Sequence, residues 1–434
     1  MRTCVVGLGK IGLPIALQYA SSGHQVVGAD IDGQVVARIL ARQVAEDEEP
    51  GTAARLEEAL DQGRFTATTD TAAAVAQSEV VVVAVPLVVD AAGTPDYRII
   101  DAASADIARG LVASTLVSYE TTLPIGTTRN RLAPALAEGS GLRLGEELYV
   151  CHSPERVFTG RVYQDLRRYP KIVGGIDEAS ARRAVDFYTS ALQFDERSDL
   201  ARPNGVWDVG SSEAAELTKL AETTYRDVNI ALANRFAIHA DTLGVDVALV
   251  IESANSQPYS HLHRPGIAVG GHCIPVYPRL YLSTDPDADV VEVARRQNER
   301  MPAYAVGLLA RRLGTLEGRR VVVLGAAYRG GVKETAFSGV FPSVAELERR
   351  GAQALVHDPL FSAEELSAKG LASFELGQAC DAAIVQADHE DYRELSPSDL
   401  PGATVIVDGR DALDPRVWRV AGIPVLRIGR PDVT

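Results

Sequence analysis

The sequence predicts an α/β protein with two Rossmann-like doubly wound domains joined by a long central helix. Three observations predict this class. Apolar strands alternate with amphipathic helices over the first part of the chain, a mainly helical stretch follows, and the alternation returns from about residue 320. The expected domains are 1–198, 199–312 and 313–434, which a chain of 434 residues can fill with separate cores.

The first domain is expected to contain a parallel sheet covered on both faces. Segment 79–86 is almost entirely apolar, which is typical of a strand in such a sheet. A helix is predicted at 11–21, where apolar residues recur along one face. The other predicted strands are 3–6, 25–30, 116–120 and 171–175.

The middle of the chain is predicted to be helical. Apolar residues recur every three or four positions from 213 to 243, and two serines precede them as caps. So long a helix usually connects domains or packs against a second subunit. A second helical stretch is predicted at 290–312. The last domain is expected to have a helix at 344–350 and strands at 321–325, 354–358, 382–385 and 404–408.

Composition narrows the partners and the compartment. The net charge of −15 argues against nucleic acid or an anionic membrane as a partner, and no apolar run reaches the length of a spanning helix. The start of the chain has glycines and no basic leader, so no signal peptide is expected. Four cysteines do not make a disulfide framework and show no metal-site spacing, so a cytoplasmic protein without a bound metal is expected.

Residues 7–12 fit a dinucleotide-binding fingerprint between a predicted strand and a predicted helix. Gly7 makes the turn, Gly9 lets the backbone approach the pyrophosphate, and Gly12 allows the helix to pack on the strand. The helix N-terminus then stabilises the diphosphate charge. Asp30 ends the second strand, where a carboxylate binds the ribose 2′-hydroxyl and repels a 2′-phosphate. The fingerprint therefore predicts NAD rather than NADP as the cofactor.

Two predicted strand ends carry polar residues with more than one interpretation. Glu155 follows an apolar segment, where a carboxylate can serve as a general base or can be a solvated loop residue. Thr121 and Thr122 follow Glu120, and their hydroxyls can cap the next helix or hold a water molecule. The sequence alone favours capping.

Lysine is scarce in this chain, so the position of each lysine is informative. An isolated lysine on a helix surface is usually solvated, and this is the default interpretation of Lys219. Its neighbours Leu217 and Leu220 favour instead a position near the buried edge of the helix. The five lysines are Lys10, Lys171, Lys219, Lys333 and Lys369.

Cys273 differs from the other cysteines in its surroundings. Cys4, Cys151 and Cys380 lie next to apolar strand-like residues and are expected to be buried. Cys273 is either another buried thiol or a reactive one, and the flanking glycines and proline favour a turn that presents it to a substrate. His272 points away from its neighbour in an extended chain and is interpreted as structural. The turn reads Gly270-Gly271-His272-Cys273-Ile274-Pro275.

In order and spacing, these motifs resemble the nucleotide-sugar 6-dehydrogenases, the family of UDP-glucose, UDP-N-acetylmannosamine, UDP-N-acetylglucosamine and GDP-mannose dehydrogenases. The resemblance spans nearly the whole chain and is nearest to the UDP-N-acetylhexosamine branch. It is carried by segments 7–12, 121–124, 154–157, 213–234, 270–275, 325–329 and 408–410.

The resemblance implies oxidation of the sugar C6 alcohol to a carboxylate at the expense of two NAD. It implies that Cys273 forms a thiohemiacetal and then a thioester and that Lys219 stabilises the oxyanion. Glu155 and Thr122 would assist thioester hydrolysis. The implied NAD contacts are Gly7, Gly9, Lys10, Ile11, Gly12, Asp30, Pro86 and Thr122. The implied UDP-sugar contacts are Glu155, Arg156, Val157, Lys219, Arg226, Gly270, Tyr328, Arg329 and Lys333.

The resemblance also assigns roles to whole domains. The first domain would bind NAD, the last would bind the UDP-sugar, and the long helix would form the core of a homodimer or a larger homo-oligomer.

Alternative functions are a UDP-glucose 6-dehydrogenase, a catalytically impaired nucleotide-sugar-binding protein, and a two-electron β-hydroxyacid dehydrogenase. The last of these has no use for a thioester-forming cysteine.

Three positions depart from the family pattern. Thr223 stands where the family has asparagine and Tyr277 where it has aspartate, and both changes concern the hydrolytic step. Ala336 stands where the family has arginine. Arg329 or Lys333 is the candidate replacement for that lost cation.

Overall fold

The computed structural model describes residues 1–44, 49–90 and 93–430. These residues form two compact units, which are described separately. The first consists of Met1–Glu222 with Arg279–Thr284, and the second consists of the described residues of Thr223–Pro278 and Asp285–Thr434. The expected division into three domains at 198 and 312 stays a prediction.

The first unit is organised around a large, mostly parallel sheet. Its described strands are β1 (Arg2–Val6), β2 (Gln25–Ala29), β3 (Phe65–Thr68), β4 (Val80–Val83), β5 (Val88–Val89), β6 (Pro95–Asp96), β7 (Thr115–Tyr119), β8 (Leu148–His152), β9 (Lys171–Gly175) and β10 (Val206–Asp208). Eight of them form one sheet in the order β10-β9-β8-β7-β4-β1-β2-β3, and β5 pairs with β6. Neighbours in the large sheet are parallel except β8 and β9.

Helices cover both faces of this sheet, as the all-apolar strand β4 requires. All four residues of β4 are buried, and the core cluster includes Ile15, Leu17, Leu56 and Phe187 from the helices. The strand predicted at 79–86 is shorter in the structure, Val80–Val83, and Pro86, which has no N–H to donate to a ladder, lies outside it. The helices are α1 (Gly12–Ser21), α2 (Gly33–Leu40), α3 (Thr52–Asp61), α4 (Thr71–Ala76), α5 (Arg98–Gly110), α6 (Ala133–Ser140), α7 (Val162–Arg168) and α8 (Glu178–Ala191), with a π-helical segment at Thr128–Leu132.

The long helix predicted at 213–243 is confirmed as α9 (Ser212–Leu243), a helix of 32 residues. Its residues up to Glu222 belong to the first unit and those from Thr223 to the second. The single helical stretch predicted at 290–312 is wrong in one respect, because two helices occupy it: α12 (Asp289–Glu299) and α13 (Met301–Leu313). Pro302 at the start of α13 cannot continue the preceding helix. Between α9 and α12 lie two shorter helices, α10 (Val247–Asn255) and α11 (Tyr277–Leu282).

The second unit contains a parallel sheet with the strand order β12-β11-β13-β14-β15. The strands are β11 (Arg320–Leu324), β12 (Gln353–His357), β13 (Ala382–Val385), β14 (Ile406–Asp408) and β15 (Val425–Arg427), and the helices are α14 (Val340–Arg349), α15 (Ala363–Ala368) and α16 (Pro415–Val420), with 3₁₀ turns at Glu390–Glu394 and Pro397–Asp399. The return of α/β alternation is therefore confirmed. Within the described ranges, no helix has the length and apolar character needed to cross a membrane.

Candidate active site

Five neighbouring strands of the first unit end at one edge of its sheet. Because β8, β7, β4, β1 and β2 are adjacent and parallel, the residues that follow them lie along this edge, where doubly wound folds bind their ligands. The sequence-predicted residues beyond these strands are Gly7, Asp30, Pro86, Thr122 and Glu155. Among them Pro86 is exposed and Thr122 is buried.

The loop after β1 has the geometry that a dinucleotide requires. Gly7 has a φ of +91°, and a Cβ at Gly12 would lie 1.8 Å from the carbonyl oxygen of Gly7, so both positions need glycine. Of the described atoms outside its immediate neighbours, none lies within 4 Å of the Cβ position at Gly9. This leaves room for a pyrophosphate at the N-terminus of α1.

Asp30 supports the same loop. Its Oδ2 accepts the Leu8 amide at 2.8 Å and its Oδ1 accepts the Asp32 amide at 2.9 Å. A carboxylate has about four acceptor positions, so Asp30 keeps capacity for ribose hydroxyls. Lys10 is exposed and Ile11 is half-buried in the same loop. These residues fit NAD, and the loop, the start of α1 and Asp30 would hold it.

Glu155 is a buried ion-pair partner, so its interpretation as a solvated loop residue is wrong. Its side chain is 11% exposed, and its Oε2 lies 2.8 Å from the Nζ of Lys171. Burial tends to raise the pKa of Glu155, but Lys171 more than offsets it and Lys219 adds a smaller contribution, so the pKa lies below its ordinary value. Glu155 is therefore ionised and able to accept a proton.

Glu120 shares the same lysine and behaves differently. Its Oε1 lies 3.1 Å from the Nζ of Lys171 and accepts hydrogen bonds from the hydroxyls of Tyr19 at 2.9 Å and Tyr188 at 2.6 Å. Burial raises the pKa of Glu120, against the attraction of Lys171, and the charge of Glu155 adds to the rise. No role for Lys171 is predicted from the sequence. The signal that could have found it is a lysine inside an apolar strand of a lysine-poor chain.

Lys219 lies on α9 and is buried, with 8% of its surface exposed. The default interpretation as a solvated lysine is therefore wrong, and the alternative position near the buried edge of the helix is confirmed. Of the two leucines that favoured this position, Leu220 is buried, whereas Leu217 is 42% exposed and does not lie on the buried edge. Arg156, in the loop after β8, forms an ion pair with Glu222 of α9.

The residues beside Glu120 and Glu155 are held by main-chain contacts and by packing. The hydroxyl of Thr121 donates to the carbonyl of Val85 at 2.5 Å, and the next helical segment has no side-chain cap, so the prediction that Thr121 and Thr122 cap it is wrong. Val157 is half-buried against the core of the first unit. Arg156 donates from Nη1 to the carbonyl of Pro170 at 3.0 Å.

In the second unit, the expected exposure of Cys273 is confirmed, while its reactivity stays a prediction. Cys273 is exposed, while the other three cysteines are buried. Gly271 has a φ of +87°, and a Cβ at Gly270 would lie 2.6 Å from the Cβ of Tyr328. His272 is turned toward Glu334, with 3.6 Å between Nε2 and Oε2. The glycines therefore shape the turn that exposes the thiol.

The loop after β11 contains the predicted UDP-sugar residues of the last domain. Tyr328 is half-buried and Arg329 is exposed, and the Nε of Arg329 lies 3.3 Å from the Tyr328 hydroxyl. Lys333 is paired with Glu365 at 2.6 Å. Arg226 is half-buried on α9. Of the two candidate replacement cations, Lys333 is thus already engaged by a carboxylate.

Known proteins resemble this chain over its full length. Residues 1–192 match the NAD-binding domain of the UDP-glucose/GDP-mannose dehydrogenase family, 213–300 its central domain, and 322–415 its UDP-binding domain. The UDP-N-acetyl-D-mannosamine dehydrogenase of Pyrococcus horikoshii is 36% identical over 444 residues, which cover 100% of both chains.

Solved structures agree with this match. The UDP-D-ManNAc dehydrogenase structure from Pyrococcus horikoshii has a TM-score of 0.87 at 34% identity and covers 100% of both chains. The UDP-glucose dehydrogenase from Pyrobaculum islandicum has a TM-score of 0.85 at 28% identity and covers 99% of this chain and 98% of its own. The chain therefore belongs to the UDP-glucose/GDP-mannose dehydrogenase family of oxidoreductases and contains that family's NAD-binding and UDP-binding domains.

Proposed function

We propose that this protein oxidises the C6 hydroxymethyl group of a UDP-N-acetylhexosamine to a carboxylate, with UDP-N-acetyl-D-mannosamine as the first candidate substrate. The observation that carries the proposal is an exposed Cys273 in a glycine turn. Its support comes from the full-length similarity to proteins named UDP-N-acetyl-D-mannosamine dehydrogenase.

The reaction needs a covalent sulfur intermediate to stop the aldehyde from escaping. The Cys273 thiolate adds to the aldehyde carbon, a C–S bond forms, and the oxygen becomes an oxyanion that Lys219 stabilises. When bound, NAD would supply the hydride acceptor for both oxidations, that of the alcohol and that of the thiohemiacetal. Water then cleaves the resulting thioester and releases the thiol. The balance is one alcohol, two NAD⁺ and one water to one carboxylate, two NADH and three protons.

Glu155 is the proposed base for hydrolysis. Its lowered pKa keeps it ionised, because Lys171 compensates its burial. Thr122 is proposed to place the water, and its burial next to the sheet edge is compatible with that role. In the last domain, Tyr328 and Arg329 are the proposed nucleotide contacts, and Lys333 is a weaker candidate because it pairs with Glu365.

The protein is proposed to act as a homodimer or larger homo-oligomer in the cytoplasm. The compartment is favoured by four unpaired cysteines. The oligomer is favoured by exposed apolar residues along the long helix.

Two alternatives remain specific enough to test. UDP-glucose as substrate is favoured by similarity to the Pyrobaculum islandicum protein of that name. A silent nucleotide-sugar-binding role is favoured by Thr223 and Tyr277, which replace the residues that the family uses near the lysine and the cysteine.

The test is NADH release by the purified protein against a panel of UDP- and GDP-sugars, with the product identified by mass spectrometry. We expect acid formation with about two NADH per sugar, as the two hydride transfers require. About one NADH per sugar would contradict the four-electron mechanism. Binding of UDP-sugars without turnover of any of them would favour the silent-binding alternative.

A further inference from the structure

The segment that carries Cys273 is fastened at both ends by one chain of buried polar side chains. This segment, residues 266–274, lies wholly in the second unit and contains no strand or helix. The segment contains three glycines, and two main-chain hydrogen bonds hold its middle, from the amide of Ile267 to the carbonyl of Gly409 at 3.1 Å and from the amide of Gly271 to the carbonyl of Ala336 at 2.8 Å. The polar side chains add contacts at its two ends. The polar chain runs through Asn234, Asn298, Asp227 and Arg295.

The first end of the segment is held by Asn234. Its Oδ1 accepts the amide of Gly266 at 2.9 Å, and its Nδ2 donates to the Oδ1 of Asn298 at 2.9 Å. Asn234 is fully buried and Asn298 is 2% exposed. The side-chain amide of Asn234 therefore joins the loop to helix α12.

The second end is held by Arg295. Asn298 donates from Nδ2 to the Oδ1 of Asp227 at 2.8 Å, and the Oδ2 of Asp227 lies 3.0 Å from the Nε of Arg295. Arg295 then donates from Nη1 to the carbonyl of Ile274 at 3.2 Å. That carbonyl belongs to the residue directly after Cys273. The chain therefore returns to the segment on the other side of the thiol.

This arrangement is costly as a source of stability alone. Asp227 and Arg295 have side chains 0% and 6% exposed, and burial raises the pKa of Asp227 to about 6 in spite of the opposite charge of Arg295. A buried ion pair of this kind is often no better for stability than packed apolar side chains. What it provides here is directional contact with the main chain beside the thiol.

We propose that Arg295 and Asn234 are positioning residues, which hold the Cys273 turn in the orientation that the covalent step needs. This inference deepens the proposed function and rests on it for its catalytic consequence. The positional part, that the buried polar chain orders the segment 266–274, stands on the geometry alone.

The main variant is Arg295→Met, which keeps the length of the side chain and removes its donors. Because it leaves the Asp227 carboxylate buried without its cation, a second variant, Asp227→Asn with Arg295→Met, removes both charges together. The matched control is Arg296→Met. Arg296 is the next residue on the same helix, 61% exposed and paired with Glu292.

The first measurement is hydrogen exchange of the peptide that spans 266–277, together with labelling by iodoacetamide. We expect exchange at least about tenfold faster in Arg295→Met, in the double variant and in Asn234→Ala, and unchanged exchange in Arg296→Met. One labelled thiol per chain verifies folding, because three of the four cysteines are buried in the folded protein. Unchanged exchange in folded Asn234→Ala and folded double variant overturns the inference.

The second measurement is kcat of unlabelled protein, divided by the folded fraction that labelling of a separate sample gives. We expect a fall of about 10- to 100-fold in the Arg295 variants with KM for NAD unchanged, because a displaced nucleophile loses orientation rather than cofactor binding. Faster exchange with unchanged kcat would overturn the positioning role. If the wild-type protein oxidises no sugar in the panel, the proposed function fails, and the exchange result alone decides whether the polar chain orders the turn.

Discussion

At the scale of single residues, the chemistry of Glu155 depends on its neighbours. Two carboxylates, Glu120 and Glu155, share the ammonium group of Lys171, and all three side chains are almost fully buried. The charges do not balance, so the two carboxylates separate in pKa: that of Glu120 rises and that of Glu155 falls. The carboxylate with the lowered pKa, Glu155, is the one at the predicted catalytic position.

Replacement of Lys171 should change the pH dependence of catalysis. In Lys171→Met, the burial of Glu155 remains while the compensating cation is lost, so the pKa of Glu155 rises. Because the base must be ionised, the acidic limb of the profile of kcat against pH is expected to move to higher pH.

Two comparisons make this result interpretable. Lys171→Met with Glu120→Gln also removes the neighbouring carboxylate and should shift the limb less. Lys369→Met, at an exposed lysine of the second unit, should leave it in place. A limb that does not move in Lys171→Met would argue that Glu155 is not the titrating base.

Replacement of Cys273 tests the covalent step. Cys273→Ser should lower acid formation by more than about 10³-fold, as removal of a catalytic nucleophile does, while NAD binding stays unchanged. His272→Ala is the control, because that side chain is 68% exposed and turned toward Glu334. Normal uronate production by Cys273→Ser, measured by mass spectrometry, would contradict the thioester mechanism.

At the scale of elements, glycines decide how closely main chains approach. The start of α1 can lie against the loop after β1 only because Gly12 has no Cβ. The start of α9 similarly approaches β9, where a Cβ at Gly174 would lie 1.9 Å from the carbonyl oxygen of Ser211. This second contact places the first turns of α9, and so Lys219, near the sheet.

Gly12→Ala should separate cofactor binding from folding. The new methyl group meets a main-chain oxygen at 1.8 Å, so the loop must shift and NAD affinity should fall at least about tenfold. Calorimetric titration with NAD measures the loss. Gly307→Ala is the control: it lies inside α13 with only the Arg311 side chain within reach, and should raise the free energy of unfolding by about 0.5–1 kcal/mol. Equal NAD affinity in the two variants would contradict the assigned loop.

At the scale of the whole molecule, α9 has an exposed apolar face. The residues on it recur at intervals of seven and four, which keeps them on one side of a helix. Their exposed fractions are 51% for Tyr225, 43% for Leu232, 39% for Phe236 and 60% for Leu243. A stripe of this kind is unfavourable in water and favours the proposed contact with a second copy of the chain.

Charge on this face should prevent assembly. Leu232→Arg with Phe236→Arg is expected to reduce the molar mass in light scattering to that of a single chain, because two cations cannot be buried there without partners. Leu360→Arg, at a leucine 36% exposed and remote in sequence from α9, should leave the mass unchanged. A wild-type monomer, or an unchanged mass in the double variant, would contradict the proposed oligomer.

Local patterns were enough to predict the α/β class, the glycine fingerprint with Asp30, the long helix and the exposed Cys273. Each of these depends on periodicity, on a turn that needs glycine, or on the residue type at a strand end. Only the folded arrangement shows the burial of Lys219, the pairing of Lys171 with both Glu120 and Glu155, and the hydrogen bond from Arg295 to the carbonyl of Ile274. These depend on side chains that are distant in sequence and brought together by packing. A local pattern carries no information on such distances, and the pKa of a buried group follows from them.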